Sequence, residues 1–245
     1  MSSFRFKQFE VNHEKSSIKV GVDGVLIGAW AVNCLAEKIN EINKVLDVGC
    51  GCGLIALILA QGLPNADIDA VDIHKDSISE AFMNFKNSPW GARLRAMQCD
   101  IADYAEDDGR YDIVVSNPPF FNSGIKEKST PREKARHQDT LSPRSLISYS
   151  TRLLRTNGSL FFIAPYDQLL EIERELDLNC LKLKKVCYVK GSHASRIKRI
   201  MIEAAKIDRG DVLDRPEFEN LVIRDENGDY SMQYKELTKA YYINF

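Results

Sequence analysis

"VLDVGCGCGL", Val45 to Leu54, sets the architecture of this chain. Lys44 to Val48 reads as a buried strand, and Leu54 to Gln61 as a short apolar helix stopped by Gly62 and Pro64. Between them Asp47, Gly49, Gly51 and Gly53 make the spacing D-x-G-x-G-x-G at a strand-to-helix turn. Three missing β-carbons let the backbone turn sharply and let a ligand approach it closely. The dinucleotide fingerprint G-x-G-x-x-G does not fit, because counting from Gly49 and Gly51 its third glycine position holds Leu54.

Working outward, Asp67 to Val71 is a second strand. Ser77 to Lys86 is a helix that opens with a capping box, Ser77 and Glu80, and sets Ile78, Ala81, Phe82 and Phe85 on one face. Arg93 to Cys99 and Arg110 to Ser116 supply strands three and four, Pro143 to Arg155 a helix, and Asn157-Gly158 turns into a fifth strand, Ser159 to Ala164. After a helix at Asp167 to Leu178, two longer strands, Leu183 to Lys190 and Lys198 to Lys206, are joined by "GSHAS". Strands alternating with helices require right-handed crossovers, so the expectation is an α/β fold. Its seven-stranded sheet is mostly parallel, with helices on both faces and an antiparallel hairpin at one edge. A single domain over residues 1–245 is expected, with a core at 44–206, a strand/helix extension at 1–43 and a C-terminal extension at 207–245.

Of the 245 residues 44% are hydrophobic, enough for a large buried core, and the formal net charge of -2 neither demands nor excludes a nucleic-acid partner. No apolar run approaches the roughly 18 to 20 residues of a membrane span, and the N-terminus lacks a signal-peptide stretch, so a soluble cytoplasmic protein with no membrane partner is expected. The six cysteines are scattered as small core residues. Cys50-x-Cys52 has no second Cys/His pair at zinc-like spacing, which argues against a metal site.

Further carboxylates follow the glycine turn. Asp72 ends the second strand nineteen residues after Gly53, where a carboxylate can accept both hydroxyls of a ribose. Asp100, just past strand three, can either read an adenine amine or cap a loop. The run Ser116-Asn117-Pro118-Pro119-Phe120-Phe121 ends the fourth strand. Paired prolines fix φ and remove donors, so they can hold one amide side chain and one carbonyl rigidly beside an aromatic face. That arrangement suits gripping a flat ligand between Asn117, the Pro118 carbonyl and Phe120.

The acidic residue and close-spaced glycines resemble motif I of class I S-adenosylmethionine-dependent methyltransferases, and "SNPPFF" resembles their motif IV. The resemblance implies a Rossmann-like class I fold with an S-adenosyl-L-methionine cofactor, and with Asp47 toward the methionine ammonium end. Together with "FRFKQFEVNHEKSSIKVGVDGVLIGAWA", "ARHQ" at Ala135 to Gln138 and "KELTKAYYINF", the whole chain resembles the bacterial tRNA adenine-N6 methyltransferase family that acts beside the anticodon of valine tRNA. That resemblance implies a tRNA substrate and places Asp23 at the cofactor. Here Val22 precedes Asp23 where the family usually has threonine. The residues alone imply a methyltransferase of some planar amine, which leaves protein glutamine, DNA adenine, or a non-catalytic RNA-binding module on the same fold as alternatives.

Charge is polarised. From Leu178 to Ile202 there is no Asp or Glu, whereas Lys182, Lys184, Lys185, Lys190, Arg196, Lys198 and Arg199 all occur. The loop carrying Lys126, Lys128, Arg132 and Arg136, with His137 beside it, is also basic. Lys126, Lys128, Arg132, Arg136, Lys190, Arg196, Lys198 and Arg199 are the candidate RNA contacts, alongside the alternative that lysines simply protect an edge strand.

Overall fold

The protein is described here by a computed structural model that covers residues 3–16, 19–104, 109–119, 141–207 and 215–244. In chain order the elements are β1 (Ser3–Arg5), β2 (Glu10–Asn12), α1 (Val22–Cys34), β3 (Lys44–Val48), α2 (Leu54–Gly62), β4 (Asp67–Asp72), α3 (Lys75–Lys86), β5 (Leu94–Gln98) and β6 (Tyr111–Ser116). They continue with α4 (Pro143–Leu153), β7 (Leu154–Pro165), α5 (Leu169–Leu178), β8 (Leu181–Ser192), β9 (Ile197–Lys206), β10 (Glu217–Arg224) and α6 (Met232–Thr238). β1 and β2 form a small antiparallel ribbon.

The other eight strands form one sheet in the order β10-β8-β9-β7-β6-β3-β4-β5. All neighbours are parallel except that β9 runs antiparallel to both β7 and β8. Side chains alternate across each strand, which divides the core in two. Val45, Ile113 and Val115 pack with α1, α2 and α3 on one face, while Leu46, Val114 and Phe162 pack with α4 and α5 on the other. The Rossmann-like order reverses between β3 and β6, and the carboxyl ends of those strands flank the resulting crevice.

The sheet has one strand more than the sequence suggests. Glu217–Arg224, assigned above to a C-terminal extension, pairs in parallel with β8 from Glu217 opposite Lys185 to Arg224 opposite Ser192. The β8–β9 hairpin is therefore internal and β10 is the edge. The segment "EFENLVIR" has a short apolar run and a parallel partner distant in sequence, so no local turn announces it. Glu219 and Leu221, two residues apart, share the face toward α1, where Leu221 is core and Glu219 accepts a hydrogen bond from the Trp30 indole.

The capping box also has a different use. α3 begins at Lys75, with His74 at its N-cap, so Ser77 and Glu80 lie inside the helix. Ala81 and Phe85 are buried but Phe82 is exposed. The buried Glu80 carboxylate accepts the backbone N–H groups of Glu14, Lys15 and Ser16 at 2.7, 3.0 and 2.8 Å. One turn on, Asn84 accepts from the Asn12 N–H at 2.9 Å and donates to the carbonyls of Asn12 and Cys52 at 2.9 and 2.8 Å. α3 thus clamps the N-terminal segment beside the glycine turn.

Replacing Glu80 with alanine leaves three backbone donors without their charged acceptor. The expected loss is about 2 to 4 kcal/mol of stability, read as a lower denaturant midpoint, with Glu80→Gln losing less because it keeps one acceptor oxygen.

Candidate functional site

The turn after β3 is left-handed at each of its glycines: Gly49, Gly51 and Gly53 have φ of 70°, 54° and 82°. A β-carbon at Gly53 would meet the Phe85 ring at 2.4 Å, so there both conformation and space demand glycine. At Gly49 nothing lies within 4 Å of the missing β-carbon, and the backbone there faces open space. The amides of Gly49 and Cys50 donate to the Val71 carbonyl at 2.9 and 3.0 Å. The Gly51 amide donates to Asp72 Oδ2 at 2.9 Å, and Asp72 Oδ1 accepts from the His74 amide at 2.8 Å.

Beside this turn lies a cavity of about 330 Å³ whose lining includes Lys19, Asp23, Gly49, Gly51, Asn117 and Arg199. The Ser116 hydroxyl donates to the Val48 carbonyl at 2.8 Å, which ties the end of β6 to the end of β3 and brings Asn117 to the glycine turn. Asn117 is half-buried, Pro118 buried and Pro119 exposed. Across the cavity Arg199 Nε donates to Asp23 Oδ2 at 2.5 Å. Burial raises the Asp23 carboxyl above its ordinary range, opposed by the attraction and hydrogen bond of Arg199.

Asp47 is fully buried under the turn. Its Oδ2 accepts from the Ala56 amide at 3.0 Å, while Oδ1 has no partner among the described residues. Burial pushes its carboxyl up to about 7; the Ala56 amide opposes this and the nearby Asp72 charge adds to it. Burial likewise raises the thiol of Cys52 to about 12 and that of Cys50 well above the ordinary range, which keeps both cavity-lining thiols neutral.

Of the residues singled out in the sequence, the fold brings Asp23, Gly49, Gly51, Asn117 and Arg199 to one cavity. Asp47, Gly53 and Asp72 stand behind its wall and shape the turn. Asp100 is exposed, and its Oδ1 accepts from the Ala102 amide at 2.9 Å. Arg199 faces the cavity, because its neighbour in the sheet is Pro165 and its partner is Asp23. Lys182, Lys184 and Lys185 pair with Asp177, Glu203 and Glu217. Lys190, Arg196 and Lys198 form no ion pair among the described residues. Phe120, Lys126, Lys128, Arg132, Arg136 and His137 lie outside the described residues. Lys19 carries no local signal in the sequence; it reaches the cavity only through the fold of the N-terminal segment, where its amine donates to the carbonyls of His13 and Glu14 at 2.7 and 2.9 Å. Among the described residues no group of His, Cys, Asp or Glu is arranged to hold a metal ion, and no helix is long and apolar enough to cross a membrane.

Residues 30–179 match the family described as the methyltransferase small domain. The tRNA1(Val) (adenine(37)-N6)-methyltransferase of Histophilus somni is 34% identical over 244 residues, covering 99% of this chain and 98% of the relative. The protein of the same name from Aeromonas salmonicida is 36% identical over 246 residues, covering 99% and 98%. Among solved structures, an Agrobacterium tumefaciens protein described as a predicted O-methyltransferase superposes with a TM-score of 0.68 at 15% identity, over 89% of this chain and 96% of that one. A methyltransferase from Aquifex aeolicus gives 0.52 at 12% identity, over 74% and 92%. These structures share the fold.

The Asp47 carboxyl makes stability pH-dependent. Because its folded value is raised from 3.8 to about 7, its proton favours the folded state fully below 3.8 and that contribution is lost as pH rises through about 7. Relative to Asp47→Asn, which keeps the acceptor for Ala56, the unliganded wild type should lose about 1.4 kcal/mol per pH unit between about pH 5 and 7 and then level off. Parallel denaturation curves for the two proteins across this range would contradict the assignment.

Proposed function

The chain belongs to the methyltransferase small-domain family and, within it, to the tRNA1(Val) (adenine(37)-N6)-methyltransferases, and from that premise we propose that Asn117 and Pro118 present the target adenine amine to the methyl donor. The protein is an S-adenosylmethionine-dependent enzyme that methylates the N6 amine of an adenine in tRNA, the one beside the anticodon. The observation that carries the assignment of Asn117 is its place in the same 330 Å³ cavity as the glycine turn.

The residues of that turn fit the donor. The open space at Gly49 admits a ligand against the backbone, and the buried Oδ1 of Asp47, without a partner among the described residues, can accept a hydrogen bond from an ammonium group. Gly49, Gly51, Asp72, Asp23 and Asp100 complete the proposed binding set. When bound, S-adenosylmethionine supplies an electrophilic methyl group on a sulfonium. An adenine amine is a poor nucleophile because its lone pair is delocalised into the ring. The Asn117 side-chain oxygen and the Pro118 carbonyl accept its two N–H groups, which lets the nitrogen pyramidalise and aims its lone pair. Pro118 and Pro119 hold both acceptors rigid, and Phe120 stacks on the base. The surplus proton then leaves to water.

The target base must leave its stack to reach the cavity. Arg199, held by Asp23 inside it, meets the target nucleotide, while Lys190, Arg196 and Lys198 meet phosphates at the same carboxyl edge of the sheet. Lys126, Lys128, Arg132 and Arg136, outside the described residues, complete the proposed RNA-contacting set.

Labelled methyl transfer to total tRNA, followed by nucleoside analysis, should yield N6-methyladenosine, with DNA and protein fractions unlabelled; label only in those fractions would refute the RNA assignment. Asn117→Ala should lower turnover by about 100-fold or more with little change in cofactor affinity, because the acceptor acts mainly in the transition state. Near-normal turnover would remove Asn117 from the mechanism. Changing Arg196 and Lys198 together to alanine should weaken tRNA binding and flatten the slope of log affinity against log salt by about 0.7 to 0.9 for each phosphate that is no longer neutralised.

A further inference from the structure

Three aromatic rings form a strip on the α5 face of the sheet. Tyr166, directly after β7, meets Tyr188 of β8 with ring centroids 5.9 Å apart at 71°, and Tyr188 stacks on Phe218 of β10 at 6.1 Å and 8°. Beneath them Val186, Ile200 and Ile202 are already fully buried, so the core is closed without the outer rings. Tyr166 and Phe218 remain 44% and 57% exposed. A run of exposed rings on a completed core marks an interaction surface.

The sheet register says what kind. Tyr188 lies opposite Ile200, and Lys190, two residues nearer the hairpin turn, shares its face of the sheet; there the register shifts, setting Lys190 opposite Ile197 with Lys198 next along β9. Both lack ion pairs among the described residues, as does exposed Arg196. Tyr166 follows Pro165, which pairs with Arg199, and β7 adjoins β6. Counting strand spacing and rise, Tyr166 stands on the order of 10 Å from Asn117. The strip therefore begins near Asn117 at the carboxyl edge of the sheet, on the face opposite Arg199, and runs outward beside cations that form no ion pair among the described residues. Glu173, near Tyr188, makes the ring itself a poor phosphate site but does not disfavour the flat face of a neutral base.

We propose that Tyr166, Tyr188 and Phe218 form a stacking platform for unpaired anticodon-loop nucleotides that flank the target adenine. The inference rests on the tRNA reading of the catalytic cavity and adds a surface to it. Single-stranded RNA is commonly held by bases stacked on aromatic side chains while cations track the backbone, and every base has a face to stack. The platform holds the loop open on one side while the target base enters the cavity. It contributes affinity without phosphate contacts.

The test uses the full chain with Tyr166→Ser and Phe218→Ser combined, two exposed positions, and a ring-preserving control, Tyr166→Phe with Phe218→Tyr. Binding of the valine tRNA anticodon stem-loop is measured across a salt series, and S-adenosylmethionine binding by calorimetry. The serine pair should bind RNA about 10- to 100-fold more weakly with an unchanged salt slope and unchanged cofactor affinity, whereas the ring-preserving pair should bind like the wild type. Unchanged RNA affinity in the serine pair, or equal loss in the ring-preserving pair, overturns the platform while wild-type methylation of tRNA leaves the catalytic reading standing. Failure of the wild type itself to methylate tRNA overturns both.

Discussion

The hydrogen bond from the Gly51 amide to the Asp72 carboxylate, 2.9 Å long, ties the turn after β3 to the end of β4. With the two amides that bond to the Val71 carbonyl, it holds a run of left-handed glycines that a chain with β-carbons would resist. The turn in turn fixes where α2 begins and leaves backbone facing the crevice at the point where strand order reverses. On the other side of that crevice the Ser116 hydroxyl anchors the end of β6 to Val48, so Asn117 and the glycine turn are held by the same pair of strands. The chemistry proposed for Asn117 depends on that shared frame, since a misplaced acceptor could not aim a nitrogen lone pair.

The second wall of the cavity comes from the N-terminal segment, and α3 holds it. Glu80 collects three amides from residues 14–16, and Asn84 links Asn12 to the carbonyl of Cys52 in the glycine turn. The polar interior of α3 is thus fully used, in contrast to Asp47, whose second oxygen is buried without a partner among the described residues. Buried polar atoms are normally satisfied, and an exception beneath a ligand-facing turn is where a bound group can supply the missing partner.

Folding also redistributes the charge. The basic run through β8 and β9 is largely neutralised by carboxylates that approach from α5, β9 and β10, and Arg199 turns inward to Asp23. What survives is a smaller set of cations gathered near the hairpin turn, at the carboxyl edge that also bears Asn117. Because β10 covers β8, those lysines do not guard an open edge.

Several features were determined by the sequence itself: the glycine turn, the Asn-Pro-Pro segment, and the alternation of strands and helices from Lys44 to Lys206. Each is a local pattern whose backbone preference holds wherever the segment lies. Ser77 and Glu80 show the limit of such reading, since the same spacing that makes a capping box at a helix start becomes a clamp when the helix begins two residues earlier. Tertiary structure alone decided that β10 completes the sheet, that Lys19 reaches the cavity, and that Arg199 faces Asp23 while Lys198 forms no ion pair among the described residues. The physical reason is that parallel pairing, ion pairing and ring contacts join residues far apart in the chain, and no local propensity encodes which distant partner a strand or charge will meet.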